Sequence, residues 1–278
     1  MPIARPEENR GGVGDPIGPD QWLKSLPIVT QYWFAATILL TLSVNFQVIS
    51  AFQIMFSWPS VKSKFELWRL LTPFCYAGPF DFSTLISCYM LVQFSKQYET
   101  GGPFNTGAGG GTADYVFCWL LGAGAMLLTW PVLVGFFPIP PVFCRNMIYY
   151  VLYIWSKRNP TAQANIWGFP IPGMYLPFAY LALTVFIGGS YMDMLHGIVV
   201  GHLYYFLVDV VPMVYGKDVL RTPQFLIDYF GIGEYRPPQA PAMNRPAAAG
   251  NAAARNAGNN AGGGGHNWGG TGRPLGRN

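Results

Sequence analysis

Charged residues are spread so unevenly along these 278 residues that the gaps between them limit the fold more than any motif does. Between Lys24 and Lys62 lie 37 positions with no Lys, Arg, Asp or Glu, and further charge-free stretches cover 82–95, 115–144, 146–156, 159–192 and 194–208. Ordinary globular domains carry about 25% charged residues; this chain has 11%, against 51% hydrophobic. A water-facing surface of normal polarity cannot be built from it. Roughly 20 apolar residues cross the ~30 Å hydrocarbon core of a bilayer, and Tyr32 to Ile49 is long enough to do so. The spacing predicts six helices, over 31–50, 82–99, 114–135, 143–157, 173–190 and 192–213, and hence an all-α membrane protein. The second, fourth and sixth apolar cores are short. Either those helices are buried among the others, or the bilayer thins around them.

The ends of the chain differ from its body. Residues 1–20 are polar and rich in Pro and Gly, with no basic start and apolar run of a cleavable signal. From Arg236 onward, 32 of 43 residues are Ala, Gly, Asn or Pro, a composition that cannot bury a core. The expected organisation is an unstructured N-terminus at 1–20, a membrane domain at 21–230 and a disordered tail at 231–278, with a flexible linker near 100–112. From Arg236 onward there are five Arg and no acid, so the net charge of +4 belongs to that segment, and no basic stripe on the body points to nucleic acid. Lys and Arg near the helix ends weakly favour both termini on the cytosolic side. Four scattered cysteines, Cys75, Cys88, Cys118 and Cys144, show no zinc or redox spacing. No metal or cofactor is expected.

Two features inside the body stand out. Trp68-Arg69 lies in the long connection from Ala51 to Phe80, and Gly197 and Gly201 are four apart in the last helix. Taken singly, a Trp-Arg pair is an interfacial anchor, and glycines so spaced let another helix approach closely. In this order they resemble the rhomboid superfamily. Tyr32-Trp33-Phe34-Ala35-Ala36-Thr37, Trp68-Arg69-Leu70-Leu71-Thr72, Gly201-His202-Leu203-Tyr204 and Thr222-Pro223-Gln224-Phe225-Leu226 resemble the Derlins, over about Gln21 to Phe230. That resemblance implies a rhomboid-like bundle of six transmembrane helices in the endoplasmic reticulum. It implies a pseudoprotease acting in retrotranslocation and degradation of misfolded proteins, beside a membrane ubiquitin ligase complex, as a homo- or hetero-oligomer. Arg69 is expected to tie the long loop to the bundle through backbone carbonyls. Gly197 and Gly201 are expected to pack against the fourth helix, where one added methyl is absorbed more easily than a leucine side chain.

Catalysis is tested on the residues themselves. The fourth helix opens Val142-Phe143-Cys144-Arg145-Asn146-Met147, without the Gly-x-Ser-Gly nucleophile of rhomboid proteases. No catalytic residue is expected. The alternative is an intramembrane protease in which Cys144 and His196 form a thiol–imidazole pair; a six-span channel or transporter ranks last. The tail segment 266–276 contains Trp268, Gly270, Gly272 and Leu275 in the aromatic-x-Gly-x-Gly-x-x-Leu pattern that binds the valosin-containing-protein AAA ATPase. Two apolar anchors separated by glycines suit an extended peptide lying in a groove. The ATPase, misfolded clients and the lipid bilayer are the expected partners.

Overall fold

A computed structural model describes residues 18–102, 110–166, 168–188, 190–216 and 219–230. The chain enters through a short helix α1, Pro19–Lys24, and then α2, Ile28–Asn45. The connection that follows contains α3, Ala51–Ile54, α4, Trp58–Lys64, and two 3₁₀ turns, Leu67–Leu70 and Thr72–Cys75. The major helices continue with α5, Phe82–Gly101, α6, Gly110–Leu133, and α7, Cys144–Arg158. A hairpin of β1, Gln163–Ile166, and β2, Phe169–Pro172, leads to α8, Leu176–Phe186. Helix α9, Met192–Tyr205, runs through a π-turn at Phe206–Val210 into α10, Val211–Tyr215, and α11, Gln224–Phe230, follows. The body is helical, with one antiparallel two-stranded sheet that an all-α reading omits.

Local chemistry sets most boundaries. Asp81 caps α5 by accepting from Thr84 N at 2.7 Å. Pro177 sits in the first turn of α8, where a missing N–H costs nothing, and Gly188, at φ +87°, lies just beyond its end. Helix α2 has Pro27 before its first residue and no cap of its own. Its amides are instead met from α5: the Glu99 carboxylate accepts from Val29 N at 3.1 Å, Thr30 N at 3.0 Å and the Thr30 hydroxyl at 2.9 Å. Thr112, at the start of α6, also donates to Glu99, at 3.2 Å. One buried carboxylate thus joins three helix ends.

Helix α7 is the centre of the bundle. From Asn146 to Ser156 every residue is buried, the mark of a helix enclosed on all sides. Helices α5, α8 and α9 pack along it, and α6 touches it. At its far end Arg158 donates to both Asp209 carboxylate oxygens, at 3.1 and 2.9 Å, and to the Tyr98 hydroxyl at 2.7 Å. The π-turn that carries Asp209 is thereby held to α7 and α5.

Among the described residues, three helices are long and apolar enough to cross a membrane: Ile28–Asn45, Gly111–Leu133 and Met192–Tyr215. Helices α7 and α8 have 15 and 11 residues, rising only ~22 and ~16 Å. Helix α5 has 20 residues but carries Lys96 and Glu99. The six helices read from the charge gaps are therefore present, and three of them meet the length and composition of a span.

Candidate functional site

The connection from α2 to α5 is built around its first short helix. A helix leaves its last four carbonyls without partners, and in α3 those of Phe52, Gln53, Ile54 and Met55 all find side-chain donors. Arg69 Nη1 donates to Phe52 O at 2.6 Å and Met55 O at 2.8 Å. Trp68 Nε1 donates to Gln53 O at 3.3 Å, and the Thr72 hydroxyl to Ile54 O at 2.9 Å. Arg69 Nε also pairs with the Glu66 carboxylate. Trp68, Arg69 and Thr72 so act as one C-terminal cap, made possible by the two successive 3₁₀ turns that carry them. The expectation for Arg69 changes in one respect: the carbonyls it holds belong to the loop itself, so it shapes the loop rather than tying it to the bundle.

Other groups make that tie. Trp33 Nε1 in α2 donates to Phe74 O at 2.9 Å, and Ala77 N donates to Thr41 Oγ1 at 3.2 Å. Phe143 N, before α7, donates to Pro73 O at 2.9 Å, and Phe56 N to Pro141 O at 3.0 Å. Phe56, Phe74, Trp119, Trp130 and Phe143 stack beneath in edge and tilted contacts of 5.3–6.3 Å. Outward, the loop shows Phe52 at 80% exposure and Phe65 at 77%, with Leu67, Leu71 and Phe80 also exposed. Burial pushes the loop thiol of Cys75 up to about 11, so it stays protonated.

The second part of the site lies where α7 and α9 cross. A Cβ on Gly197 would lie 2.1 Å from Asn146 O, and one on Gly201 3.1 Å from Tyr150 O. The glycines bring the two backbones together at the level of His196. Its ring is fully engaged: Asn146 Nδ2 donates to Nδ1 at 3.0 Å, and Nε2 lies 2.8 Å from Thr129 Oγ1, which itself donates to Ala125 O at 2.7 Å. With the amide nitrogen of Asn146 facing Nδ1, the ring proton lies on Nε2 and faces the Thr129 oxygen.

The thiol–imidazole pair of Cys144 and His196 is not what the structure brings together. Cys144 is fully buried at the first position of α7, and both imidazole nitrogens are directed to other partners. A nucleophile needs a base within hydrogen-bond reach and room for substrate; the geometry supplies neither at Cys144. Asn146 and Thr129, which occupy His196, were not singled out from sequence, because their role depends on three helices meeting. Trp268, Gly270, Gly272 and Leu275 lie outside the described residues, as do 103–109 of the linker.

The model of the Der1-like family matches residues 26–224. Derlin-1 of Homo sapiens is 35% identical over 259 residues, covering 89% of this chain and 94% of its own. Derlin-1.1 of Zea mays is 35% identical over 239 residues, covering 84% and 93%. Derlin-2 of Oryza sativa subsp. japonica is 31% identical over 233 residues, covering 80% and 91%.

Proposed function

The chain belongs to the Der1-like, or Derlin, family, and on that premise we propose that it is a non-catalytic component of endoplasmic-reticulum-associated degradation. In this reading it assists the passage of misfolded lumenal or membrane proteins to the cytosol, as a rhomboid-like pseudoprotease with six membrane-crossing helices and both termini cytosolic. The observation that carries the non-catalytic part is the His196 ring, held between Asn146 and Thr129 and so withheld from Cys144.

The short helices give the reading a physical mechanism. A core built around α7 and α8 is thinner than the ~30 Å of an ordinary bilayer. Each unsatisfied polar backbone group costs several kcal/mol in hydrocarbon, so a shorter apolar path lowers the barrier to moving a polar chain. The capped loop between α2 and α5 presents exposed aromatics beside this thinned region, where they can meet apolar segments of a client.

Force would come from elsewhere. The tail pattern of Trp268, Gly270, Gly272 and Leu275 suits recruitment of the valosin-containing-protein AAA ATPase, and a membrane ubiquitin ligase complex would mark the client. The test is copurification from native membranes. The reading expects the ATPase and ubiquitinated membrane proteins to accompany the full chain. Recovery of the chain without either, under conditions that keep other membrane complexes intact, would overturn it.

A further inference from the structure

One groove in the bundle has no place in the reading above. It lies between α6 and α9, with a volume of about 110 Å³, and its wall includes Gly122 and Ala125 on α6 and Val200, Leu203 and Leu207 on the other side. The groove exists because Gly122 and Ala125 give α6 little side-chain volume beside Leu121, while the ring of Tyr150 stands between the two helices. A Cβ on Gly122 would lie 2.6 Å from the Tyr150 ring, so that ring lies directly on the α6 backbone. Tyr150 turns its hydroxyl inward, donating to Cys118 O at 2.9 Å, and its ring meets Tyr204 edge-on at 5.7 Å. What remains facing outward is carbon.

Depth decides what can fill it. Leu121 to Ala125 are 11 to 15 residues into α6 from Gly110, about 16–22 Å along the axis at 1.5 Å per residue. Both walls belong to helices long and apolar enough to cross a membrane. The groove therefore opens sideways into hydrocarbon. Leu220 closes the end nearer the α6 start, and its strand of chain is fixed by Thr222 donating to Asp114 at 2.7 Å. An apolar recess of this kind stays dry.

We propose that this groove is a binding site for an acyl chain of a bilayer lipid. The lipid completes the contact between α6 and α9 that Gly122 and Ala125 leave open. Leu203, exposed at 52%, forms one lip of the recess.

The test uses the full chain in nanodiscs of phosphatidylcholine carrying a photoactivatable diazirine on one acyl chain, with adducts mapped by mass spectrometry. Leu39 and Leu128, exposed at 68% and 69% on the outer faces of α2 and α6, report ordinary lipid contact. Residues 121–125 and 200–207 should be labelled several-fold more than these two. Leu203→Trp and Ala125→Phe, which fill the recess, should bring groove labelling down to the level of Leu39 while leaving Leu39 and Leu128 unchanged. If a filled variant misfolds, the distribution of label in the wild-type chain decides alone. Groove labelling equal to that of Leu39 would overturn the proposal. Labelling below it would also overturn it, and a groove-to-groove crosslink would then assign the surface to a second copy.

Discussion

The two glycines that bring α9 against α7 differ in a way that gives a sharp mutational test. At Gly197 an added methyl carbon would sit 2.1 Å from Asn146 O and 2.9–3.0 Å from the Asn146 carbonyl carbon and Cα. Tolerated C···O contacts lie at about 3.3–3.6 Å, so α7 and α9 must separate by about 1.2 Å at this level. The obstacle is main chain at the most buried helix of the bundle, which cannot swing away. Overpacking costs about 1–3 kcal/mol or more, and replacing a mid-helix glycine returns about 1 kcal/mol of helix propensity. With the clash at the upper end, Gly197→Ala should lose about 2 kcal/mol or more. At Gly201 the nearest atom, Tyr150 O, is 3.1 Å away. A shift of a few tenths of an ångström absorbs that, and the propensity gain offsets it. One kcal/mol corresponds to about 2–4 °C for a domain of this size. Thermal unfolding in a mild detergent should show Gly197→Ala lowered by about 4–8 °C. Gly201→Ala should lie within about 2 °C of wild type. Leucine at either position should prevent stable accumulation. A Gly197→Ala chain with wild-type Tm, or Gly201→Ala falling further than Gly197→Ala, would refute this account of the crossing.

Removing the Arg69 side chain leaves Phe52 O and Met55 O without their charged donor, at about 1.5–3 kcal/mol for such a bond. Arg69→Ala and, more mildly, Arg69→Lys should increase protease cleavage of the loop in intact membranes and slow client degradation, with unchanged ATPase copurification. Glu99→Ala strips the acceptor from the part-buried Val29 N and the buried Thr30 N and should cost about 3 kcal/mol or more; Glu99→Gln, which keeps one carbonyl oxygen, should be milder in the same unfolding assay. Trp268→Ala with Leu275→Ala removes both apolar anchors of the tail pattern, each worth about 2 kcal/mol or more if it behaves as an interface hot spot, so copurification of the ATPase should be lost while Tm is unchanged.

What was legible in the sequence follows the range of the forces involved. Charge-free stretches mark helices because hydrocarbon excludes charge locally: each of the six major helices overlaps one, α2 and α8 lie wholly inside theirs, and the others run on into charged residues such as Lys96, Asp114, Arg158 and Asp193 near their ends. Their ends were less visible. Helix α2 starts at Ile28 rather than 31 because Glu99, some seventy residues later, supplies the cap that Pro27 cannot. Helix α8 begins at Leu176 and ends at Phe186, shorter than the charge gap suggests, because a hairpin rich in Pro and Gly takes up 163–172 and Gly188 adopts a left-handed turn. In the site, the Trp68-Arg69 pair and the Gly197 and Gly201 spacing were recognisable as patterns. The cap they form on α3 with Thr72 was not, since it depends on which carbonyls the loop leaves open. From sequence His196 reads as a base for Cys144, because nothing there places Asn146 and Thr129 around its ring. The same is true of Arg158 and Asp209, which pair where the end of α7 meets the π-turn.

The account rests on the chain promoting client removal without cutting the client. The measurement that tests this most directly is the half-life of a misfolded endoplasmic-reticulum membrane protein in cells lacking the chain, complemented in turn with wild type, Cys144→Ser and Arg69→Ala. Loss of the chain should lengthen the half-life, Cys144→Ser should restore it as fully as wild type with no change in client fragments, and Arg69→Ala should restore it only in part. A half-life indifferent to the chain, or a discrete client fragment that appears with wild type and vanishes with Cys144→Ser, would contradict the account.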